Sequence, residues 1–232
     1  EEQALFSVIF EVLPAPQLVN EYLGLAKRLR PILETMDGFI DNERFESQRR
    51  PGWILSHSTW RDEKSVVRWR TVGEHHAIQE HGRQEVLSDY HLRVGDVTTD
   101  TAGPVHQQRY DTTEIGTAKV VTLTEITPRP AGALPGVVEL PEALGVDPRD
   151  AAVVDHDTFA SIYNPGKLAL LVSWTDAEAS SRWTPRASRE ISDLRHRAVR
   201  VVRDYGKFDR REAPQYYPDA SGRETVHAQP AH

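Results

Sequence analysis

Three histidines are the side chains in this sequence best suited to acid–base chemistry. His75 and His76 are adjacent in a segment with helical periodicity, and His57 lies in a segment typical of a β-strand. An imidazole titrates near neutral pH, so each could take a proton from a hydroxyl or an acidic C–H group of a substrate. We therefore take His57, His75 and His76 as candidates for a general base, against the alternative that they are ordinary surface or hydrogen-bonded residues.

Two tryptophans, an arginine and a tyrosine in the same stretch could bind a substrate. Trp60 and Trp69 would form an apolar wall, and Arg83 or Tyr90 would stabilise the anion that forms when a phenol or quinol loses its proton. Packing is the alternative for the aromatic residues, because each of them recurs later in the chain. Arg83 could instead pair with an exposed carboxylate such as Glu80.

Composition limits the classes of partner. The chain has 232 residues, a net charge of −7 and 38% hydrophobic residues. It has no basic field for a phosphate backbone, so we expect no nucleic-acid partner. No apolar run approaches the ~20 residues that cross a bilayer, so we expect no membrane partner and a cytoplasmic protein. The absence of cysteine excludes disulfides and thiolate metal sites, and no dinucleotide-binding glycine motif or His-Glu-x-x-His zinc motif is present.

The chain repeats itself at an offset of 114 residues without a gap. The matching pairs include Glu11 and Glu125, Asp41 and Asp155, Phe45 and Phe159, Pro51 and Pro165, Gly52 and Gly166, Trp60 and Trp174, Asp62 and Asp176, and Trp69 and Trp183. Asp89-Tyr90 returns as Asp204-Tyr205 with a slip of one residue. The repeat indicates a duplicated module, and it predicts that Trp60 and Trp174 occupy equivalent places about a pseudo-two-fold axis.

Hydrophobic periodicity and turn residues predict the order β-α-β-β-α-β in each half, the ferredoxin-like module. In the first half the elements are a strand over Leu5–Val12, a helix over Gln17–Thr35, strands over Phe39–Gln48 and Trp53–Trp60, a helix from Asp62 to about Tyr90, and a strand over Leu92–Val97. In the second half they are strands over Lys119–Thr127, Asp155–Tyr163 and Leu168–Trp174, a helix from Asp176 to about Tyr205, and a strand near Phe208.

One element does not repeat. The segment 131–151 matches the first helix but is rich in Gly and Pro, and Pro inside a helix costs ~3 kcal/mol, so we expect at most a short helix around residues 141–144. The predicted domains are a first repeat over residues 1–98, a linker over 99–116 and a diverged second repeat over 117–217. The polar, turn-rich residues 218–232 predict a disordered tail.

A family resemblance rests on residues that lie mostly in the first half. They are Gly38-Phe39-Ile40 at the second strand, Pro51-Gly52 at the hairpin, Ser58 to Glu63 at the strand-to-helix junction, and then Trp69, His75, Gln79, Gly82-Arg83 and Asp89-Tyr90. On these residues the chain resembles the antibiotic biosynthesis monooxygenase (ABM) superfamily, the dimeric α+β barrels. Two ferredoxin-like protomers build the barrel in this family, so the resemblance implies an α+β fold in which two fused repeats form the barrel within one chain.

The same resemblance implies an oxidoreductase. Members include cofactor-free oxygenases of quinols and polycyclic aromatics and also heme-binding proteins. We expect a monooxygenase that oxidises a small planar aromatic or quinol-like compound of secondary metabolism, without a cofactor, in a pocket between the first sheet and its helices. One alternative is a heme enzyme with His75 or His76 as the iron ligand, and another is a non-catalytic protein that binds heme or a small ligand. A homodimer of the fused chain is a further expectation.

The two halves differ where one of the candidate bases lies. Ser56, His57 and Ser58 of the first half correspond to Leu170, Leu171 and Val172 of the second. Polar side chains inside a sheet need partners that justify their desolvation. We therefore expect the chemistry in the first half.

Overall fold

The structure, a computed structural model, describes residues 2–129 and 140–214, apart from the side chains of residues 74–76. The strands are β1 (Gln3–Ala4), β2 (Phe6–Pro14), β3 (Phe39–Ser47), β4 (Ile54–Trp60), β5 (Leu87–Asp100), β6 (Val105–His106), β7 (Val120–Pro128), β8 (Val153–Ser161), β9 (Leu168–Trp174) and β10 (Ile191–Gly206). All but β1 and β6 form one closed barrel in the order β10-β5-β2-β4-β3-β8-β9-β7. Neighbouring strands of the barrel are antiparallel.

Most of the helical structure packs on the first half. The helices are α1 (Val19–Thr35), α2 (Glu63–Thr71), α3 (Gly73–His81), α4 (Leu140–Ala143) and α5 (Ala177–Ser181), and a π-helical turn (Gly82–Val86) follows α3. The repeated aspartates act as N-caps of α2 and α5: Asp62 accepts a hydrogen bond from the backbone N–H of Ser65 at 2.7 Å, and Asp176 from that of Ala179 at 2.8 Å. None of the described helices is long and apolar enough to cross a membrane.

The strand register confirms a duplicated barrel with an internal pseudo-two-fold axis. Trp60 lies opposite Phe6, and Trp174 lies opposite Val120, which is the same pair 114 residues later. At the β3–β8 seam Phe45 faces Ser161, the counterpart of Ser47, and Ser47 faces Phe159, the counterpart of Phe45. Trp60 and Trp174 therefore occupy equivalent places, and the predicted α+β barrel of two fused ferredoxin-like repeats is correct.

The predicted ends of the second helices are wrong in both halves. In the first half helical structure ends at Val86 and β5 begins at Leu87, earlier than the predicted strand. In the second half α5 ends at Ser181, and most of the residues expected to be helical up to Tyr205 form β10, which begins at Ile191.

A shorter segment in the second half explains the longer of these errors. Arg93 faces Ile9 and Arg197 faces Leu123, so these two arginines are structural counterparts. Arg93 follows Trp60 by 33 residues, whereas Arg197 follows Trp174 by only 23. The second half is therefore shorter here by about three helical turns, and an offset of 114 cannot extend past that difference in length.

The predicted match between Tyr90 and Tyr205 is also wrong. Tyr90 faces Val12. The counterpart of Val12 is Ile126, and the residue that faces Ile126 is Leu194. Tyr205 instead faces Leu92 across the β5–β10 seam. The two tyrosines are thus neighbours at the seam rather than symmetry mates.

The predicted linker takes part in the fold. β5 continues to Asp100, past the expected boundary at residue 98. The following segment crosses the β5–β10 seam, where the Arg109 N–H donates to Asp96 at 2.5 Å and the Thr113 N–H donates to the Val201 carbonyl at 2.8 Å. The predicted tail over residues 218–232 lies outside the described residues.

Two related ion clusters close the ends of the barrel around an apolar interior. At one end Arg93 donates to Glu11 and to Ser173, both at 2.7 Å. At the other end their counterparts repeat the arrangement, with Arg197 donating to Glu125 and to Thr59. A second cation completes each cluster: Arg50 pairs with Glu11 and Asp157, and Lys167 pairs with Glu125 and Glu43.

Candidate functional site

A cavity of about 400 Å³ lies between the outer face of the first sheet and helices α1, α2 and α3. Side chains alternate along a strand, so one face of each strand forms the cavity floor and the other faces the barrel interior. The floor includes Val8 and Phe10 of β2 and Ser56, Ser58 and Trp60 of β4. This is the location expected from the sequence for a substrate pocket.

Apolar side chains of the helices form the opposite wall. Leu25, Leu29 and Leu33 project from α1, and Trp69 projects from α2. The spacing of these leucines at every fourth residue places them on one face of the helix. The cavity thus has a hydrocarbon and aromatic wall facing a sheet that is partly polar.

The polar part of the floor is a hydrogen-bonded cluster on β3 and β4. Asn42 Nδ2 donates to Ser56 Oγ at 3.2 Å and to the His57 carbonyl at 2.9 Å, while Arg44 Nη1 donates to Asn42 Oδ1 at 2.9 Å. Trp60 Nε1 donates to Ser58 Oγ at 2.9 Å. The register positions these groups, because Arg44 lies opposite Ser56 and Asn42 opposite Ser58.

The charged residues that line the cavity are arginines. They are Arg30, Arg44, Arg70, Arg83 and Arg210, and no Asp or Glu is among the described lining residues. Arg30 pairs with the exposed Glu34 at 2.7 Å. The other four arginines have no carboxylate partner among the described residues, and such a lining favours an anionic ligand.

Two tyrosines bring hydroxyl groups to the cavity at the β5–β10 seam. Arg70 donates to the Tyr205 hydroxyl at 2.7 Å, and Arg210 donates to the Tyr90 hydroxyl. Burial raises the pKa of Tyr205 above its usual value of 10.0 even though Arg70 lies beside it. The Tyr205 phenol can therefore donate its proton in a hydrogen bond to a ligand at neutral pH.

The structure brings together the four predicted substrate-binding residues. Trp60, Trp69, Arg83 and Tyr90 all line this cavity, although they come from four different elements. Packing also holds three of them: Trp60 is 1% exposed, Trp69 8% and Tyr90 7%. Their roles in binding stay a prediction, and their location makes that prediction testable.

His57 lies on the opposite face of β4, inside the barrel. It is 3% exposed, and its Nε2 lies 2.8 Å from Ser7 Oγ. Burial, together with the charges of Arg197 and Arg195, lowers the pKa of His57 well below 6.5. The ring is therefore neutral at physiological pH and does not line the cavity that holds the other candidates.

His75 and His76 belong to α3, which covers the cavity with Ile78 and Gln79. Their side chains lie outside the described part of the chain. Their roles as a general base or a heme ligand stay predictions.

Comparison with known proteins gives the family. The family model described as antibiotic biosynthesis monooxygenase matches residues 5–81. A jasmonate monooxygenase from Pyricularia oryzae is 44% identical over 226 residues, which are 94% of this chain and 100% of that protein. The chain belongs to the antibiotic biosynthesis monooxygenase family. It is therefore a monooxygenase, which confirms the family and the enzyme class expected from the sequence and sets aside the non-catalytic alternative.

Solved structures share the fold of this ABM protein at low identity. An aldoxime dehydratase in complex with butyraldoxime aligns with a TM-score of 0.57 at 11% identity, over 86% of this chain and 80% of the other. A second aldoxime dehydratase structure aligns with a TM-score of 0.55 at 12% identity, over 86% of this chain and 82% of the other. At such identities the similarity concerns the fold alone.

The corresponding surface in the second ABM repeat is packed with apolar groups. Leu170 and Val172 replace Ser56 and Ser58, and both are fully buried. Trp183 packs against the apolar cluster that contains them, and its ring lies 5.8 Å from that of Trp174. The polar floor is thus a property of the first repeat, as the contrast between the halves predicted.

Sequence reasoning missed several residues that line the ABM cavity. Asn42 and Arg44 could have been found, because the Pro51-Gly52 hairpin places Arg44 opposite the polar Ser56. Arg70 lies in the predicted second helix but carries no pattern of its own. Tyr205 and Arg210 reach the cavity from the second repeat, and no signal in the sequence indicates that contact.

Proposed function

We propose that this ABM protein oxidises a small, largely apolar carboxylic acid of the jasmonate class in the cavity between the first sheet and helices α1, α2 and α3. The observation that carries the proposal is the charge of the cavity, whose described lining includes five arginines and neither Asp nor Glu. Apolar walls bind a hydrocarbon body, and the positive charge favours an acid over a neutral compound. The name of the 44% identical relative, a jasmonate monooxygenase, supports the same substrate class.

A planar quinol-like compound, the substrate expected from the sequence, is the second candidate because the cavity is rich in aromatic rings. Phe10, Tyr22, Trp60, Trp69 and Tyr90 all line it, and contacts between aromatic rings would hold a flat substrate. An ionised quinol is an anion as well, so the arginines also suit it. The two candidates differ in the group that carries the charge, a carboxylate in one and a phenolate in the other.

The overall reaction fixes what an assay must detect. A monooxygenase places one atom of O2 in the product and releases the other as water. An external reductant supplies two electrons when the product is an alcohol; a substrate CH2 group that becomes a carbonyl supplies them itself. In either case the arginines and the hydroxyls of Tyr90 and Tyr205 would stabilise negative charge that develops on the substrate.

Heme is the cofactor alternative, and it needs an axial ligand. The described side chains that line the cavity include no His, Cys or Met, and Tyr90 and Tyr205 already accept hydrogen bonds from arginines. A heme reaction in this cavity would depend on His75 or His76. Titration with hemin tests this: a saturable Soret band that disappears in His75→Ala or His76→Ala would establish heme, and the absence of a saturable band would favour the cofactor-free reaction.

The proposal is tested by oxygen uptake with jasmonic acid, with and without an added reductant. We expect uptake and a product that contains one atom from labelled O2. Val8→Phe places a ring on the cavity floor and should reduce uptake by about tenfold or more, since one tenth of the rate corresponds to only ~1.4 kcal/mol. Ile40→Phe, which adds the same ring at an exposed position, is the control. Uptake with quinols but not with jasmonic acid would transfer the proposal to the second candidate.

A further inference from the structure

Arg44 is the cavity arginine that lies on the sheet floor, and like Arg70, Arg83 and Arg210 it has no carboxylate partner among the described residues. Arg93 and Arg197, which are 3% and 2% exposed, each pair with a glutamate. Arg44 is half-buried, and no carboxylate in the described residues lies within ion-pair distance of it. Its Nη1 donates to the neutral Asn42, and its buried Nε has no acceptor in the described part of the chain, as is also true of the Nε atoms of Arg93 and Arg197. A half-buried guanidinium without a carboxylate partner is available to pair with the negative charge of a ligand.

The neighbours of Arg44 offer further donors and few acceptors. Ser56 Oγ accepts from Asn42, and Ser58 Oγ accepts from Trp60 Nε1. A hydroxyl that accepts still has its own proton to donate, and in the described structure neither serine donates it to another side chain or a carbonyl. Asn42 has both ends of its amide in use. The unused hydrogen-bonding capacity of this floor therefore consists of N–H and O–H groups, as a carboxylate requires.

The rest of the floor matches a molecule with one charged end. Val8 and Phe10 on β2 lie between this donor cluster and Tyr90 on β5. β3 and β5 are three strand spacings apart, or about 14 Å at ~4.8 Å per spacing. An acid bound at Arg44 would lay its apolar body across Val8 and Phe10.

The second repeat provides an internal comparison. The counterparts of Arg44, Ser56 and Ser58 are Thr158, Leu170 and Val172. All three are buried, and none of them can present a charge. The arginine and the two serines are thus present together in one repeat and replaced together in the other.

We propose that Arg44, with Ser56 and Ser58, is the receptor for the substrate's carboxylate and selects free acids over their esters. This inference rests on the proposed function for the identity of the natural ligand. Binding itself can be measured without turnover, so the two can fail separately. Arg44 supplies the charge, and the serine hydroxyls complete the hydrogen bonds to the two carboxylate oxygens.

The test is the affinity of the full chain for two acid–ester pairs under nitrogen: jasmonic acid and its methyl ester, and octanoic acid and methyl octanoate. Quenching of tryptophan fluorescence reports binding, because Trp60 and Trp69 line the cavity. Arg44→Met removes the charge and Arg44→Lys retains it without the forked geometry. Arg28→Met removes an arginine from the exposed face of α1 and is the matched control.

We expect each acid to bind wild-type protein about 10- to 100-fold more tightly than its ester, the range for hydrogen bonds to a charged group. Arg44→Met should lower the affinity for the acid to that for the ester. The same reasoning predicts that the affinity for the ester stays within about twofold of the wild-type value. Arg44→Lys should recover part of the loss, and Arg28→Met should behave as wild type.

If acid and ester bind the wild-type protein with equal affinity, the proposed receptor is refuted. This result does not depend on whether any variant folds. An Arg44→Met protein that keeps the preference for the acid, or that loses acid and ester equally, overturns it as well. Oxygen uptake on the same samples separates the two proposals. If the protein takes up oxygen with an acid but binds that acid no more tightly than its ester, the proposed function holds and the Arg44 receptor does not. If acid binding depends on Arg44 but no oxygen is taken up, the receptor holds and the proposed function does not.

Discussion

Replacing Ser56 by Leu copies the floor of the second repeat into the first and should separate stability from binding. The counterpart Leu170 is fully buried, and Ser56 lies on the cavity floor beside Phe10 and Arg44. A leucine at this position would occupy part of the cavity and remove one of the hydroxyl donors. We expect a protein that is at least as stable as wild type and binds acids poorly.

The change in stability follows from two opposing contributions. Burying a Leu side chain completely stabilises by about 1.5–3 kcal/mol, and a partly open cavity should give about half of that. The lost hydrogen bond from Asn42 costs about 0.5–1 kcal/mol, since Asn42 keeps its shorter bond to the His57 carbonyl. The free energy of unfolding should therefore rise by roughly 0–1 kcal/mol.

The change in binding should be much larger. A hydrogen bond to a charged group is worth about 1.5–3 kcal/mol, so losing the Ser56 hydroxyl lowers the affinity for jasmonic acid by about tenfold or more. Occupying the cavity adds to this loss. Urea denaturation gives the free energy of unfolding, and fluorescence titration gives the affinity.

The reciprocal change, Leu170→Ser, is the control. It creates a cavity and buries a hydroxyl in the second repeat, so it should cost about 3–5 kcal/mol of stability and leave the affinity for the acid unchanged in the folded protein. A Ser56→Leu protein that binds jasmonic acid like wild type would refute the polar floor as the binding surface. A loss of more than about 1 kcal/mol in stability would refute the assignment of Ser56 to function rather than folding.

Three further predictions concern the barrel interior. The double variant Ser7→Val with His57→Leu copies Val121 and Leu171 of the second repeat. We expect its oxygen uptake to persist, because the His57 imidazole lies away from the cavity. Loss of uptake in a stable double variant would support His57 as the base. Burial lowers the pKa of His57, so wild-type stability should fall as pH drops below 6.5 and the folded protein resists taking up the proton. Urea denaturation between pH 7 and 5 should show a weaker loss in the double variant, and equal slopes would contradict this account. Arg93→Met leaves Glu11 buried without its main partner and should cost about 3–5 kcal/mol, measured by urea denaturation at pH 7; a cost below about 1 kcal/mol would contradict the importance of the pair.

Much of the fold could be predicted from the repeat because the turn of a β-hairpin sets the residue pairing along the whole length of its two strands. Gly52 and Gly166 have φ of 83° and 88°, a conformation that favours glycine, and each closes the hairpin that aligns its strands. Asp62 and Asp176 then mark where each second helix begins. The prediction failed after Trp183, where the second repeat is shorter than the first, and the chance recurrence of Asp-Tyr concealed that difference.

The cavity was only partly predictable for a different reason. Trp60 and Trp69 follow from the family resemblance, and the serines follow from the contrast between the halves. Arg44 is an ordinary residue for a strand surface, and only its register opposite Ser56 gives it a polar neighbour inside the cavity. Arg210 reaches the site by a tertiary contact that no local pattern encodes.

The duplication indicates which polar groups serve the fold and which serve the site. The pairs Glu11–Arg93 and Glu125–Arg197 are present in both repeats, although replacing a whole buried pair by apolar residues is often neutral. Losing one member first would leave an unpaired buried charge, so single substitutions cannot easily remove such a pair, and both copies persist. No such barrier protects Ser56, because we expect a leucine there to raise the free energy of unfolding by roughly 0–1 kcal/mol. If Ser56→Leu costs the fold nothing, as we expect, then the polar floor of the first repeat is kept for what it binds.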